Sequence, residues 1–377
     1  MPGNQIFGVD EGIAVRTTPA AISPQGRISH KFSLKGGDGF FGPVQRKDPT
    51  AWYFSNGSAI VDNPDAMEAF EIHGAIYQKW LALGGIGFGL PTTDESTTPD
   101  GIGRYNHFNG NAASIYWTPG TGAQALYGDI HAKWASLGWE RSYLGYPTSD
   151  EVDFPEGGRA NSFQNGGIYW WPDLGAIDLR GVILHYTGLH CFGETDWDQG
   201  STADEPYFIL SVSTPQIAAT VTTQTYSDVD AGETRPDLME LYRGAPYGIN
   251  ISAVLMEHDF GDQNKYRAQV QSVVMGVHAA GTLALGLIPV VGPFIAAVAG
   301  PGLGSLMPSS GEAINDLFDE GDDRIGGANL TISARQMVVL AARTGNTDFN
   351  GIGYKVETSL ISGSGATYKG YFGMIPL

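Results

Sequence analysis

Two sets of side chains recur at spacings that suit ligand chemistry. Ile115-Tyr116-Trp117 is echoed by Ile168-Tyr169-Trp170-Trp171, and Thr93-Asp94-Glu95 by Ser149-Asp150-Glu151. Flat aromatic faces at Tyr116, Trp117, Tyr169, Trp170 and Trp171 would stack on sugar rings, with Asp94, Glu95, Asp150 and Glu151 accepting hydrogen bonds from hydroxyls. The plainer alternative makes the aromatics core and the Asp-Glu pairs turns or caps. A second chemistry is suggested by acidic loops at Asp196, Asp198, Asp204 and Glu205, and at Asp319, Asp322 and Asp323. Calcium takes about six to eight oxygens, which convergent loops would supply. No loop completes an EF-hand, since the twelfth position from Asp228 is Met239 rather than a glutamate. Solvated turns in an acidic protein are the plainer reading.

Enzymatic signatures are missing. The sequence has no Gly-x-Ser-x-Gly, no His-Glu-x-x-His and no Walker lysine motif, and no Gly-x-Gly-x-x-Gly opens a helix after a strand. No catalytic residues are assigned, although a dispersed triad or a pair of glycosidase-type carboxylates stays open. A net charge of −19 argues against nucleic acid, whose phosphates need clustered Lys and Arg. The single cysteine, Cys191, excludes an intramolecular disulfide framework and reads as a buried thiol. Residues 1–25 lack the basic start and apolar stretch of a signal peptide, so the expectation is either that the protein is not exported by that route or that the sequence is a mature or expressed form.

The elements that must position these groups are set by a repeat. Gly26-Arg-Ile28-x-x-Lys31-Phe32, Gly74-Ala-Ile76-x-x-Lys79-Trp80 and Gly128-Asp-Ile130-x-x-Lys133-Trp134 open three stretches, and Gly181-Val-Ile183 closes the third. Phe41-Gly42-Pro43, Gly89-Leu90-Pro91 and Leu144-Gly145-Tyr146-Pro147 follow in turn, with Phe108 and Phe163 downstream. Ile76 and Trp80, four apart, share one face of a short helix whose Trp docks inward. The Phe to Gly-Gly-Ile-Tyr-Trp stretch reads as a hairpin with an aromatic face that stacked neighbours must cover.

These landmarks resemble the LGFP repeat, a unit of about fifty residues found in envelope-associated and secreted bacterial proteins. The resemblance covers residues 26–181 and departs from the family name at Tyr146. It implies a propeller-like array, a secreted or cell-surface location and adhesion to an envelope polysaccharide or glycan. The fold class expected is mainly β with short helices. Residues 1–181 form the repeat module (26–73, 74–127, 128–181, with a partial unit at 1–25), and residues 182–377 an antiparallel β-sandwich.

The sandwich is read from strand-like runs at Gly181–Phe192, Pro206–Ser213, Ile249–His258, Asn329–Leu340, Tyr354–Ser362 and Ala366–Ile375. Within it, residues 268–311 contain no Asp, Glu, Lys or Arg and are split by Pro289 and Pro293. The first arm, about 20 residues, is long enough to span a bilayer. Leu283, Leu285, Leu287, Ile288, Phe294 and Ile295 would make that membrane contact, while a helical hairpin buried on the sandwich is the plainer fate. The leading expectation is therefore a non-enzymatic surface-acting binder, with calcium as a candidate ion. A two-part membrane-active toxin and a wall hydrolase are the alternatives. Oligomeric state is not read from the sequence.

Overall fold

The computed structural model describes residues 22–194, 204–258, 263–284 and 324–377. Asp196, Asp198, Asp319, Asp322, Asp323, Leu285, Leu287, Ile288, Phe294 and Ile295 lie outside them, as does almost all of the partial unit at 1–25. The chain divides into two compact units, Met1–Ser96 with Asn106–Asn111, and Thr97–Tyr105 with Ala112–Leu377. The fold is mainly β with short helices, and among the described residues none of the antiparallel sheets is closed.

Each repeat is a short helix followed by a four-stranded meander. In the first, α1 (Pro24–Leu34) and α2 (Asp38–Phe41) precede β1 (Val44–Asp48), β2 (Ala51–Phe54), β3 (Ser58–Asn63) and β4 (Glu68–His73). In the second, α3 (Gly74–Ala82) precedes β5 (Ser96–Thr97), β6 (Arg104–Phe108), β7 (Ala113–Thr118) and β8 (Gly122–Tyr127). In the third, α4 (Gly128–Leu137) precedes β9 (Val152–Phe154), β10 (Gly158–Phe163), β11 (Gly166–Trp171) and β12 (Gly175–Leu179). Strand order within each repeat's sheet is sequential, so the expected hairpin is the centre of a larger meander.

The helix entries explain one repeat landmark. Strands β4 and β8 run directly into helices with no side-chain cap, and the first helical residues, Gly74 and Gly128, have φ of 50° and 59°. Only glycine enters that region without a Cβ penalty. Ile76 and Trp80 on α3, and Ile130 and Trp134 on α4, are buried as their four-residue spacing requires.

The LGFP-like turn docks each sheet to its helix. Its first residue meets the Phe of the following meander: Phe41 with Phe54 at 4.7 Å between ring centroids, Phe88 with Phe108 at 5.5 Å, and Leu144 in one cluster with Phe163. Pro91 and Pro147 form isolated bridges to Phe108 and Phe163. The intervening glycine leaves room for an amide side chain. A Cβ on Gly89 would lie 2.4 Å from Asn109 Oδ1, and one on Gly145 2.5 Å from Gln164 Oε1.

After Gly181 a β-sandwich follows. One sheet has the order β16 (Thr234–Gly244), β13 (Val182–Gly193), β23 (Ala366–Pro376) and β21 (Val356–Glu357), with β22 (Ile361–Gly363) also on β23. The other runs β15 (Ala218–Thr222), β14 (Pro206–Ser213), β17 (Ile249–Glu257) and β18 (Arg324–Ile332), while β19 (Thr347–Phe349) and β20 (Ile352–Tyr354) pair separately. Alternate residues of β14 divide between two cores, as period-two side chains must. Phe208 and Leu210 face the sandwich interior, whereas Tyr207 and Ile209 meet Tyr266, Val270 and Val274 of α5 (Gln263–Ala284). The described side chains at the start of the apolar segment thus cover a sheet face, and Leu283 lies near the end of the same helix. Among the described residues no helix is long and apolar enough to cross a membrane.

One strand reading changes. The run Asn329–Leu340 is the end of β18 followed by a helix, α6 (Ala334–Ala342). Ser333 and Gln336 form a reciprocal capping box, a helix-start signal that outweighs the β-branched Val338-Val339.

Replacing Gly145, whose φ is 71° and whose Cβ site is occupied, with alanine should destabilise the protein by about 1–3 kcal/mol. Gly39→Ala, a helical site with open space, should leave stability unchanged or slightly raised. Chemical denaturation of both variants checks the contrast.

Candidate functional site

The acidic pairs lie against edge strands. Asp94 Oδ1 accepts the Glu71 backbone N–H of β4 at 3.1 Å, and Glu95 Oε2 accepts that of His73 at 3.2 Å. Asn106 Nδ2 donates to the Glu71 carbonyl and to the Thr93 carbonyl, each at 2.9 Å. The next repeat repeats the clasp. Asp150 Oδ1 accepts the Ala125 N–H of β8 at 2.8 Å, and Asn161 Nδ2 donates to the Ala125 carbonyl at 3.2 Å. Glu151 binds Arg159 Nε at 2.9 Å.

Charge reinforces the first clasp. Lys31 and Lys35 each approach Asp94 within 3.1 Å, and Lys35 also reaches Glu71 at 2.8 Å. Burial alone would raise the Asp94 pKa, but the Glu71 amide, Lys35 and Lys31 outweigh it and hold the carboxyl below its ordinary range.

The aromatic positions separate into two groups. Tyr116, Tyr169 and Trp171 are buried, whereas Trp117 and Trp170 keep partial exposure on equivalent strand positions. Tyr116 stacks on Tyr105 at 5.1 Å and meets Trp134 edge-on at 4.7 Å. Tyr169 and Trp171 belong to the same buried cluster as the sandwich interior. Trp170 donates its indole N–H to Asp129 Oδ2 of α4 at 2.7 Å.

Of the acidic-loop residues, Asp204 and Glu205 are described. Asp204 is fully buried and accepts the Tyr368 hydroxyl at 2.7 Å, while the Glu205 backbone N–H binds the Glu257 carboxylate. Among the described residues no group of three or more His, Cys, Asp or Glu is arranged to hold a metal ion.

An open cleft of about 620 Å³ in the third repeat was not foreseen from sequence. Tyr143, Gln164, Asn165, Gly166, Arg180 and Leu377 line it. The Arg180 guanidinium lies 5.1 Å from the Tyr143 ring centroid, and Tyr143 donates to Asp178 Oδ2 at 2.7 Å. Lys133 holds the other oxygen of Asp178 at 3.1 Å, so α4 and β12 fix the ring from below. Gln164 is held by the Tyr146 N–H at 3.0 Å, and Asn165 and Arg180 are exposed. An aromatic ring, two amides and a guanidinium around an open cleft suit a polyhydroxylated ligand. The available signal was positional: Tyr143 and Arg180 stand directly beside the turn and the boundary glycine of the repeat.

This build, a helix, an LGFP-like turn and a clasped meander, defines a repeat protein. Residues 88–142 and 144–188 match the LGFP repeat family. The first repeat, at 26–73, lies outside the matched residues but shares the same helix-and-sheet build. No curated protein matches the chain. LGFP repeats occur in cell-envelope proteins, which is consistent with a surface-associated or secreted protein.

Tyr146, where the family name has Phe, also has a partner. Its hydroxyl binds both oxygens of Asp100 at 2.6 and 2.8 Å and meets Thr98 Oγ1 at 2.8 Å. Tyr146→Phe should therefore cost about 1–2 kcal/mol in a denaturation experiment, because the buried Tyr146 loses its hydroxyl hydrogen bonds to Asp100 and Thr98. The Asp94 clasp gives a pH signature. Its depressed pKa contributes stability that is complete above the ordinary carboxylate range and lost as pH falls below about 4. Asp94→Asn should lower the denaturation midpoint at pH 7 and flatten its decline between pH 5 and 3.

Proposed function

We propose that the repeats hold a cell-envelope polysaccharide, and that the Tyr143–Arg180 cleft seats one of its sugar units. The observation carrying this reading is the cleft itself, an open recess in which a fixed aromatic ring stands beside exposed amide and guanidinium donors. Sugar rings present apolar C–H faces to aromatic rings and hydroxyls to such donors. The half-exposed Trp117 and Trp170, at matching positions of consecutive sheets, supply a second contact of the same kind along an extended polymer. A repeated weak contact gains affinity from linkage, so the polymer binds more tightly than its fragments.

The test is binding of purified envelope polysaccharide to the immobilised protein. Asn165→Ala with Arg180→Ala, both exposed positions, should weaken binding by about tenfold, roughly 1.4 kcal/mol, with an unchanged melting temperature. Undiminished binding by that variant overturns the cleft assignment. Failure of the unmodified protein to bind any envelope polysaccharide overturns the adhesive reading as a whole.

A further inference from the structure

A second cleft, of about 590 Å³, runs along α6 in the sandwich part of the chain and has a different chemistry. Its volume falls within the roughly 300–1,000 Å³ typical of small-molecule sites. Helix α6 turns Ala334, Met337, Val338 and Ala341 into the core, which leaves Val339 and Leu340 half-buried on its flank. Together with Leu174, Leu330 and Val356 they give the cleft an apolar floor. Its rim is cationic. Arg335, Arg343 and Lys355 line it against one acid, Glu156, in a chain whose net charge is −19.

These cations differ in what they have left to offer. Arg335 is paired with Asp173. Lys355 Nζ donates to the Leu340 carbonyl at 2.6 Å and the Arg343 carbonyl at 2.8 Å. It therefore occupies the carbonyl end of α6 and cancels the negative pole that would otherwise repel an anion. One of its three ammonium protons remains available. Arg343 is exposed and makes no ion pair among the described residues. An apolar trough thus ends at an unpaired guanidinium and a partly committed ammonium.

We infer that the α6 cleft binds a single-chain anionic amphiphile, its alkyl chain along Val339, Leu330 and Val356 and its carboxylate or phosphate head on Arg343 and Lys355. Charge complementarity decides for an anionic head, because the rim excess is positive where the molecule as a whole is strongly negative. The apolar floor decides for a chain rather than a free anion, since burying each methylene contributes about 0.8 kcal/mol that a small anion lacks. This site is independent of the polysaccharide reading.

Calorimetric titration of the full chain below the micelle concentration tests it, with dodecanoate, dodecyl phosphate, dodecanol, acetate and inorganic phosphate as probes. Saturable one-to-one binding is expected for dodecanoate or dodecyl phosphate, with dodecanol at least about tenfold weaker and no heat from acetate or inorganic phosphate. The better of the two long-chain anions identifies the head group. Arg343→Glu, at an exposed position, should weaken binding by about tenfold or more without shifting the melting temperature, and Val339→Trp should block it by filling the floor. Equal affinity for dodecanol, undiminished binding by Arg343→Glu, or no binding by the intact chain each overturns the proposal.

Discussion

The last strand of an antiparallel meander leaves a row of N–H and C=O groups facing outward. Unsatisfied, those groups are costly to bury and prone to pair with another chain. Here the signature side chains of the following repeat occupy them. An aspartate takes an edge amide and an asparagine takes the matching carbonyl, at Glu71 for β4 and at Ala125 for β8. The recurrence of Asp94 and Asp150 in the sequence is explained by this demand. A carboxylate is the right group because it only accepts, and an amide is the right partner because its NH₂ reaches two carbonyls at once. The helices and LGFP-like turns serve the same end by fixing where those two side chains stand.

The aromatic landmarks obey a different rule, set by what lies over each sheet. Tyr116 and Tyr169 occupy matching strand positions, yet they enter different clusters. Tyr116 is enclosed by Tyr105 of its own repeat and by Trp134 and Trp139 of the next. Tyr169 and Trp171 join the interior that also holds Phe208, Leu255 and Tyr368 of the sandwich. The third repeat therefore completes two cores, and the compact unit that contains it extends through to the end of the described chain.

Much of the fold is legible in the residues. Four-residue spacing places Ile76 with Trp80 and Ile130 with Trp134, and strands of the sandwich follow from short apolar runs, as at Pro206–Ser213, which is buried on both faces. Ser333 and Gln336 carried a helix signal that the apolar, β-branched run around them masked. The candidate site was less legible, because chemistry-bearing residue types do not announce their neighbours. Asp94 and Glu151 have the composition of ligand groups, and whether each meets a backbone amide or an arginine depends on how the neighbouring strands are set against their turns. Tyr143, Arg180, Arg343 and Lys355 are unremarkable singly. One cleft arises only where Tyr143, the turn between β10 and β11 and the end of β12 meet, the other only where α6, β18 and β21 come together.

The clasp has a direction, and that direction governs how the array is made. The sheets of the first two repeats leave their closing partners on residues still to come, so each of these repeats emerging alone is left with an open edge until its successor is synthesised. Growth of such an array from its first residues onward is a series of completions, each new repeat finishing the one before. The last repeat has no successor. Instead of a fourth helix at Gly181, the chain continues into β13, and Tyr169 and Trp171 find cover in the sandwich. The sandwich thus acts as a terminator for the series, and a change in repeat number would be accommodated by moving the same ending further along.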